Sequence, residues 1–327
     1  MVPVTYNDIL TVEMNHTEIT STTNKVAILM ATYNASSYLN EQLYSFLDQD
    51  YPSWKLYVSD DGSTDNTTDI IRKLMLKNPT NNGFIQTGPQ KGFAANFMSL
   101  ICNDNIIADY YAYSDQDDIW DSKKLSNAIS FLDKIDCNIP ALYCSRTQLI
   151  DSYGNTIGFS PSFKKKTSFK NAIVQSIAGG NTMVFNHAAK KLLEKAGNVD
   201  IVSHDWWTYI VITACGGMAY YDQYPTVKYR QHTNNLVGTN LGIKQKLKRL
   251  YQLFNGDFSN WTKKNIDSLQ HLEHEINEEN IESILAFKAI KHKGLIFRLT
   301  YLSKFPFYRQ TFLSNLIIYA AAFIGKV

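Results

Sequence analysis

The sequence predicts an α/β protein in which helices cover both faces of a mostly parallel sheet. Three observations support this class. Residues 25–135 alternate short apolar runs with segments of helical period. This alternation is typical of strand–helix–strand units, which build parallel sheets. Acidic and polar residues follow the apolar runs, at the strand ends where such sheets bind their ligands.

The elements of the first half can be placed in order from their patterns. After its first residue the run at 25–31 is continuously apolar, as expected of a strand that is buried on both faces. The segment 65–77 has apolar residues on one helical face, and Thr64 or Asp65 is expected as its N-cap. The expected strands are 25–31, 55–59, 84–87 and 110–114, and the expected helices are 36–47, 65–77, 93–101 and 123–135.

The pattern changes near residue 140. A strand is expected at 141–150, and a turn follows at 151–155. Residues 218–230 are expected to form two strands, because Pro225 would interrupt a ladder of hydrogen bonds. Further expected elements are a strand at 180–185, helices at 187–195 and 205–215, and amphipathic helices beyond residue 240.

Length and composition limit the classes of protein. With 327 residues, the chain forms one large domain or two small ones and can bury a substantial core. The 32 basic and 30 acidic residues give a net charge of +2, which argues against a dedicated nucleic-acid binder. Aromatic residues make up 13% of the chain, which suits a sugar-binding cleft as well as a core.

The cysteines and the N-terminal residues predict the cellular compartment of the protein. The four cysteines are scattered and form no Cys-x-x-Cys pair, so a reducing compartment is expected rather than a zinc site or a disulfide framework. Residues 1–24 form a polar leader that lacks the apolar segment of a signal peptide. No apolar stretch reaches the ~18 residues needed to cross a bilayer. We therefore expect a cytoplasmic protein.

The C-terminal tail, residues 291–327, has a composition of its own. It contains six Lys and Arg residues and no Asp or Glu, and aromatic residues interleave with the basic ones. This composition suits the interface of an anionic membrane. The alternative is a C-terminal helix that packs on the core and carries a basic rim. The composition is compatible with both interpretations.

The loops after the strands lack glycine-rich phosphate sites. Neither G-x-G-x-x-G nor G-x-x-x-x-G-K-[ST] follows a strand, which disfavours dinucleotide-binding and P-loop proteins. Instead, three neighbouring carboxylates, Asp115, Asp117 and Asp118, repel one another unless a cation or hydrogen-bond donors compensate. Such oxygen ligands suit Mg²⁺ or Mn²⁺. The alternative is a solvated acidic loop that caps the next helix.

A second acidic pair follows the strand at 55–59. Asp60 and Asp61 precede Gly62, and one carboxylate could accept the imide N–H of a uracil or thymine base. Tyr33, at the end of the first strand, could stack on that base. The alternative is that the acids cap the next helix and Gly62 makes the turn. A cap needs only one acid, so the pair favours the functional interpretation.

Four motifs follow one another across residues 25–125. They are VAILMATYN at 26–34, LDQDYP at 47–52, VSDDGSTD at 58–65 and SDQDDIW at 114–120. Their order and spacing resemble glycosyltransferase family 2. The resemblance implies a GT-A fold, a nucleotide-sugar donor, a divalent metal and inversion at the anomeric carbon. The SDQDDIW form is most similar to the bacterial rhamnosyltransferase-type branch of that family.

The resemblance also implies roles for residues in the first half. The base and the nucleotide would be held at the ends of the first two strands and by a segment similar to the family's nucleotide loop. These implied donor-binding residues are Thr32, Tyr33, Asp60, Asp61, Gly92 and Asn96. Asp115 would touch the ribose or the metal, and Asp117 would bind Mg²⁺ or Mn²⁺ beside the diphosphate. Which of Asp115, Asp117 and Asp118 is the direct ligand is open.

The motif SHDWW at 203–207 is similar to the acidic acceptor motif of the family, in which an Asp serves as the base. Asp205 would take this catalytic role, and His204 replaces the commoner Glu. The implied acceptor-binding residues are His204, Trp206 and Trp207. The alternative is an N-cap Asp followed by two tryptophans of the core.

The motif YRQH at 229–232 resembles the C-terminal motif of the rhamnosyltransferase-type branch. His232 would complete the metal shell or contact the diphosphate, and Arg230 would add a positive contact to the donor. The alternative for His232 is a structural role. Gly179 and Gly180 would let the backbone approach the sugars closely.

These expectations describe an inverting, metal-dependent glycosyltransferase. The donor would be dTDP-rhamnose or a UDP-sugar, and the acceptor a hydroxyl of a glycan or lipid-linked glycan in bacterial cell-surface polysaccharide synthesis. The alternatives are a sugar nucleotidyltransferase, which normally carries a basic, glycine-rich loop after the first strand, and a sugar-binding scaffold that has lost activity. If the tail binds a membrane, the protein is peripheral on the inner face of the plasma membrane.

The expected organisation has three parts. They are a polar leader at 1–24, a GT-A catalytic domain at 25–240 and a helical, basic and aromatic C-terminal region at 241–327. Within the catalytic domain, 25–125 would be the nucleotide-sugar-binding half and 126–240 the acceptor half.

Overall fold

The computed structural model describes residues 25–232, 255–290 and 294–326. The expected leader at 1–24 and the expected boundary at residue 240 lie outside these ranges. The strands are β1 (Val26–Thr32), β2 (Trp54–Asp60), β3 (Asn82–Thr87), β4 (Tyr110–Ser114), β5 (Ile119–Trp120), β6 (Ala141–Ile150), β7 (Thr156–Phe159), β8 (Val184–Asn186) and β9 (Met218–Arg230).

Helices connect the strands and dominate the C-terminal part. They are α1 (Leu39–Leu47), α2 (Thr67–Lys77), α3 (Phe93–Ile101), α4 (Lys124–Leu132), α5 (Phe169–Ala172), α6 (His187–Ala196), α7 (His204–Ala214), α8 (Asp257–Ser268), α9 (Glu278–Ile290), α10 (Leu295–Lys304) and α11 (Phe312–Phe323). Short 3₁₀ segments are Pro79–Asn81, Gly180–Thr182 and Leu269–Glu275.

The strands of the described residues form one sheet. Its order is β3-β2-β1-β4-β8-β6-β9-β5, and β7 pairs with β6. Strands β1 to β4 run parallel, as the alternation of strands and helices predicts. In the second half, β8 is antiparallel to β4 and β6, and β5 is antiparallel to β9. The predicted α/β class is confirmed, and antiparallel pairs enter only after β4.

Helices cover both faces of the sheet, which is also as predicted. Successive residues of a strand point to opposite faces, so β1 contributes to two cores. Ala27 and Leu29 belong to a core formed with α3, α6 and α7, whereas Val26 and Ile28 belong to a core formed with α1 and α4. Burial on both sides explains why the whole strand is apolar.

The α1 and α2 helices begin two or three residues later than the sequence predicts. The α1 helix begins at Leu39 instead of residue 36, and the Ser36 N–H is bonded to the Asp65 carboxylate (3.0 Å). The α2 helix begins at Thr67, after Asn66 at the N-cap position. Asp65 accepts a hydrogen bond from the Thr67 N–H (3.0 Å) but does not occupy the cap position. The Asp65 carboxylate is thus bonded just before α1 and at the start of α2, and it joins two loops that are distant in sequence.

The prediction of two strands at 218–230 is wrong, since β9 is continuous. Pro225 lies where the register between β9 and β6 shifts, between the pairs Ser145–Asp222 and Thr147–Val227. The missing N–H of Pro225 therefore falls in an irregularity of the ladder, where no strand hydrogen bond is lost.

The C-terminal helices pack on the larger core with one side and expose apolar residues on the other. Leu302, Phe305 and Ile318 are buried against Phe287 and Ile290. Exposed apolar side chains of α10 and α11 include Leu295, Ile296, Leu299, Phe312, Leu313, Leu316 and Phe323. Core packing and an exposed apolar face thus occur together. Within the described ranges, no helix has the length and apolar character that a membrane span requires.

Candidate active site

The motif-bearing loops meet at one edge of the sheet. The register pairs Thr32 of β1 with Asp60 of β2, and Met30 of β1 with Ser114 of β4. Because these strands are parallel, their carboxyl ends lie side by side. Residues 115–118, which we call the acidic loop, therefore lie near the ends of β1 and β2.

Asp60 organises the loop between β2 and α2. Its carboxylate accepts hydrogen bonds from the Thr32 hydroxyl (2.8 Å) and from the N–H (2.8 Å) and hydroxyl (2.6 Å) of Ser63. Gly62 makes the turn with a φ of 95°, which favours glycine. Asp60 and Thr32 are both buried, so they shape the loop from below. Neither Asp60 nor Asp61 caps α2, because Asn66 holds the N-cap position.

The side chains of Asp61 and Asn96 both lie close to Gly88. The Asp61 carboxylate accepts hydrogen bonds from the N–H groups of Gln90 (2.6 Å) and Gly92 (3.2 Å). Asn96 is buried, and its Oδ1 has no hydrogen-bond partner among the described residues. A Cβ on Gly88 would lie 2.5 Å from Asn96 Oδ1 and 2.6 Å from Asp61 Oδ1. The structure therefore brings Asp61, Gly92 and Asn96 together.

Tyr33 is an exposed aromatic residue of this region. Its side chain is 56% exposed, so a ring face is available for stacking on a base. The amide of Gln116, from the acidic loop, is bonded to the peptide of Tyr33. The sequence alone assigns Gln116 no role. The order of residues in the acidic loop does not show that the side chain of Gln116 reaches Tyr33 at the end of another strand.

The carboxylates of the acidic loop have different surroundings. Asp118 is buried and accepts hydrogen bonds from the side-chain amide of Asn181 (2.5 Å) and from the N–H of Arg230 (3.1 Å). Burial and the charges of Asp117 and Asp115 raise the pKa of Asp118 well above its ordinary value. Asp115 and Asp117 are only partly buried. Asp118 thus serves the structure of the loop, while Asp115 and Asp117 can face a ligand.

Asp115 lies among other carboxylates. Burial, and then the charges of Asp117 and Asp205, raise the pKa of Asp115 to about 7. Asp205 lies in the first turn of α7, far from the acidic loop in sequence. The fold therefore brings the carboxylate expected as the base close to those expected to bind metal.

Asp117 and His232 form a pair beside this cluster. The Nε2 atom of His232 lies 2.8 Å from Oδ2 of Asp117, and the imidazole stacks on Tyr38 with 5.1 Å between ring centroids. The described residues contain no group of three His, Cys, Asp or Glu side chains that could hold a metal ion. Mg²⁺ usually takes one or two protein carboxylates and completes its shell with water and phosphate oxygens. Carboxylates and an imidazole fit such an ion if a diphosphate supplies further ligands.

Arg230 is buried, with 1% exposure, and anchors the acidic loop. Its guanidinium donates hydrogen bonds to the carbonyl oxygens of Asp117 (3.0 Å) and Ser152 (3.2 Å), and it pairs with Glu41 (2.7 Å). It also lies 4.6 Å from the ring centroid of Tyr38. In this arrangement the guanidinium faces protein groups, so the structure does not support the expected contact between Arg230 and the donor.

The α7 helix begins at His204, one residue before Asp205. Ser203 occupies the N-cap position, so Asp205 is not the cap, and its Oδ1 accepts a hydrogen bond from the Trp206 N–H (2.7 Å). His204 is 4% exposed and stacks on Phe97 with 3.7 Å between ring centroids. Burial lowers the pKa of His204 to about 4. The imidazole is therefore neutral and packed among aromatic rings, which does not support the expected acceptor contact.

The two tryptophans belong to the core. Trp207 is fully buried, and Trp206 is nearly so and donates a hydrogen bond from Nε1 to the Ala172 carbonyl oxygen (2.6 Å). Neither ring offers a face to an acceptor sugar, and the alternative of two core tryptophans describes them correctly. A pair of aromatic residues on a helix satisfies core packing as well as sugar stacking, so the motif alone does not separate the two roles.

Comparisons with known proteins identify the family. Residues 27–193 match the sequence model of glycosyl transferase family 2. The chain is 34% identical over 235 residues to the dTDP-rhamnosyl transferase RfbG of Shigella flexneri, which covers 68% of this chain and 78% of that protein. The chain belongs to glycosyl transferase family 2. It is therefore a glycosyltransferase, as the four motifs imply.

Other relatives of this glycosyltransferase match a shorter part or are more distant. The putative glycosyltransferase EpsE of Bacillus subtilis is 33% identical over 110 residues, which is 34% of this chain and 39% of that protein. Crystal structures of S. aureus TarS 1–349 match with TM-scores of 0.52 with UDP and 0.53 with UDP-GlcNAc, at 16% and 15% identity. They cover 82% and 92% of this chain, and 71% and 89% of those chains. This likeness concerns the fold, and it confirms the expected GT-A architecture.

Proposed function

We propose that this glycosyltransferase moves a sugar from a nucleoside-diphosphate donor to a hydroxyl of a glycan acceptor, with inversion at the anomeric carbon. The convergence of Asp115, Asp117 and Asp205 near the carboxyl ends of the strands carries the proposal. Burial, and then the nearby charges of Asp117 and Asp205, raise the pKa of Asp115 to about 7. A direct displacement needs a base for the acceptor and compensation for the charge on the departing diphosphate. This cluster contains groups suited to both tasks.

In the proposed step, Asp205 is the general base. Its carboxylate takes the proton of the acceptor hydroxyl while that oxygen attacks the anomeric carbon from the side opposite the leaving group. The bond between this carbon and the diphosphate oxygen breaks, and the nucleoside diphosphate leaves with the electron pair. One displacement inverts the configuration. Oδ1 of Asp205 is bonded to the Trp206 N–H, whereas Oδ2 makes no hydrogen bond within the described residues and can take the proton.

The nucleobase of the donor is proposed to bind between Tyr33 and Asp61. Tyr33 supplies an exposed ring, and a carboxylate oxygen of Asp61 would accept the imide N–H that uracil and thymine share. The relatives support such bases, because RfbG is a dTDP-rhamnosyl transferase and TarS binds UDP and UDP-GlcNAc. RfbG matches more than two thirds of this chain, and so we propose dTDP-rhamnose as the first donor to test.

We propose that Mg²⁺ or Mn²⁺ is held by Asp117 together with Asp115 or His232, because the described residues place no three such side chains around one ion. Water and diphosphate oxygens would complete the shell. When bound, the ion would neutralise the negative charge of the diphosphate. The protein prepares this site by fixing the backbone of Asp117, whose carbonyl oxygen accepts the hydrogen bond of Arg230 (3.0 Å). Asp118 is left out of the ligand set because its oxygens are engaged by protein donors.

We also propose that the exposed face of α10 and α11 rests on an anionic membrane. Ile296 is 83% exposed and Phe312 78% exposed, although neighbouring residues of the same helices are buried. The tail at 291–327 has six basic residues and no acidic one. Anionic lipid complements the positive charge of this tail, whereas a second copy would bring a tail of the same charge. Such a location supports a lipid-linked glycan as acceptor, in cell-surface polysaccharide synthesis at the inner membrane face.

A donor panel tests the proposed function. The protein is incubated with dTDP- and UDP-sugars and Mg²⁺ or Mn²⁺, the release of nucleoside diphosphate is measured, and NMR of the product gives the anomeric configuration. We expect release from at least one donor and an inverted product. Pyrophosphate release from a nucleoside triphosphate would instead indicate a sugar nucleotidyltransferase. Donor binding without any release would indicate a sugar-binding scaffold.

A further inference from the structure

A buried lysine lies close to the acidic loop. Lys124 is the first residue of α4 and has no exposed surface, whereas the adjacent Lys123 is exposed. Burial lowers the pKa of Lys124 well below its ordinary value, and the charges of Asp118 and Asp115 act against this effect. A buried ammonium group is costly unless it is paired, so its partners indicate what it does.

The ammonium group of Lys124 joins two loops. It donates a hydrogen bond to the carbonyl oxygen of Asn181 and lies 3.5 Å from the ring centroid of Trp120. The side-chain amide of Asn181 in turn donates to the carboxylate of Asp118 (2.5 Å). Asn181 is therefore held through its backbone by the lysine and through its side chain by the acidic loop.

The turn that is held in this way packs under the start of α7. Asn181 lies in the 3₁₀ segment Gly180–Thr182. A Cβ on Gly180 would lie 2.2 Å from Nε2 of His204, so the backbone of the turn lies directly against that imidazole. His204 immediately precedes Asp205. A continuous series of contacts therefore links the acidic loop, through this turn, to the residue beside the proposed base.

We propose that Lys124 is a positioning residue that sets the place of Asp205 relative to the acidic loop. It acts through Asn181, because its hydrogen bond fixes the turn on which His204 rests. The role of Asp205 as base rests on the proposed function, whereas the contacts of Lys124 do not.

The first test compares Lys124→Met with the matched control Lys123→Met. Methionine keeps the apolar stem and removes the ammonium group. With dTDP-rhamnose as the probe, we expect Lys124→Met to slow dTDP release by roughly 10²-fold, the size of effect that a small misplacement of a catalytic group causes. The control should stay within about twofold, as should the Kd of dTDP with Mn²⁺ in both variants. A loss of dTDP affinity as large as the loss of rate would overturn the proposal.

Hydrogen exchange tests the structural part without turnover. The amides of residues 179–183 should exchange about 10-fold faster in Lys124→Met than in wild type or Lys123→Met, because the turn loses a hydrogen bond that holds it. Unchanged exchange at these amides would overturn the proposal whatever the rate. If the wild-type protein releases nucleoside diphosphate from no donor, the sugar-transfer proposal fails, and this comparison still decides the role of Lys124.

A double variant separates positioning from charge compensation. Lys124 also interacts electrostatically with the buried Asp118, so Lys124→Met can destabilise the fold through charge as well as through the lost hydrogen bond. Asp118→Asn combined with Lys124→Met removes both ionisable groups, so any loss of Tm that arises from charge should be recovered. Its dTDP release should nevertheless stay slow, because the carbonyl oxygen of Asn181 still lacks its donor. Full recovery of the rate would show that Lys124 serves charge compensation alone.

Discussion

The side-chain amide of Gln116 forms two hydrogen bonds with the peptide of Tyr33. The N–H of Tyr33 donates to Oε1 of Gln116 (2.7 Å), and Nε2 of Gln116 donates to the carbonyl oxygen of Tyr33 (3.1 Å). These bonds tie the acidic loop to the end of β1 and fix the backbone from which the exposed ring projects. The proposed nucleobase site therefore depends on Gln116. This residue belongs to the acidic loop, which is also proposed to bind the metal.

A Gln116→Met substitution should weaken nucleotide binding. Methionine has a similar length but makes neither hydrogen bond, so the Tyr33 peptide is no longer held. Because the loss of such bonds costs about 1–3 kcal/mol, we expect the Kd of dTDP, measured by calorimetry with Mn²⁺, to rise about 10-fold. Tyr44, on α1, is as exposed as Tyr33, and Tyr44→Ala is the matched control. An unchanged Kd in Gln116→Met would contradict this role.

Local patterns in the sequence predicted the strands and the loops of the site. The apolar run of β1 and the acids after β2 and β4 are local properties, and parallel pairing brings their ends together. The partners of each polar group are not local. Asp118 receives hydrogen bonds from Asn181 and Arg230, which are distant in sequence, and only the folded chain shows that these bonds occupy its oxygens.

The direction in which a helical side chain points was likewise beyond local reasoning. Trp206 and His204 follow the acceptor motif of the family, yet both are buried, because other helices and the sheet together enclose α7 on almost every side. Asp205 escapes burial among them and remains partly exposed. A periodic pattern gives the face of an amphipathic helix, but α7 is apolar nearly all round, so its pattern does not single out an outer face.

Asp205→Asn should slow turnover and leave donor binding intact. An amide cannot take the proton of the acceptor, and general-base assistance is worth about 10²–10⁴-fold, so dTDP release from dTDP-rhamnose should fall by that factor. The Kd of dTDP should not change, because Tyr33 and Asp61 are untouched. Asp200→Asn, at an exposed carboxylate that pairs with Lys264 before α7, should retain the wild-type rate. Near-normal turnover of Asp205→Asn would exclude Asp205 as the base.

Asp117→Ala should remove the metal dependence of nucleotide binding. In the wild-type protein, calorimetry should show tighter dTDP binding with Mn²⁺ than with a chelator. In the variant, the ratio of the Kd with chelator to the Kd with Mn²⁺ should fall by more than about 10-fold, because a carboxylate that faces the ion is lost. Asp48→Ala, at an exposed acid of the same domain, is the control. Electron paramagnetic resonance counts bound Mn²⁺ independently of turnover. Equal metal dependence in both variants would exclude Asp117 as a ligand.

The buried imidazole of His204 should make the protein less stable in acid. Burial lowers its pKa from 6.5 to about 4, so the unfolded chain takes up the proton first as the pH falls. The contribution of His204 to the free energy of unfolding is complete above pH ~6.5 and is lost between pH ~6.5 and ~4, by about 3 kcal/mol at most.

Urea unfolding between pH 7.5 and 4.5 measures this effect. The free energy of unfolding should decline less steeply in His204→Gln than in wild type over that interval, because glutamine does not titrate. His271→Gln removes an exposed histidine and should keep the wild-type slope. Identical slopes for the two variants would show that His204 is accessible to protons in the folded protein.

The exposed face of α10 and α11 should bind anionic vesicles. Replacement of Ile296 and Phe312 by Glu removes two exposed apolar side chains and adds negative charge, while Leu302 and Ile318, which pack on the core, are kept. Burial of one such side chain is worth about 1.5–3 kcal/mol, so flotation with phosphatidylglycerol vesicles should fall at least ~10-fold. Salt should weaken the wild-type interaction, since part of it is electrostatic.

The matched control for this face replaces two apolar residues that are just as exposed elsewhere on the molecule. Leu76 lies on α2 and Ile107 lies before β4, and neither belongs to the tail. The double variant Leu76→Glu and Ile107→Glu has the same change in charge and should float like wild type. Equal flotation of the two double variants would exclude the tail as the membrane contact. Self-association of the wild-type protein that is lost in Ile296→Glu with Phe312→Glu would give another result. It would show that this face joins two copies of the chain instead of binding a membrane.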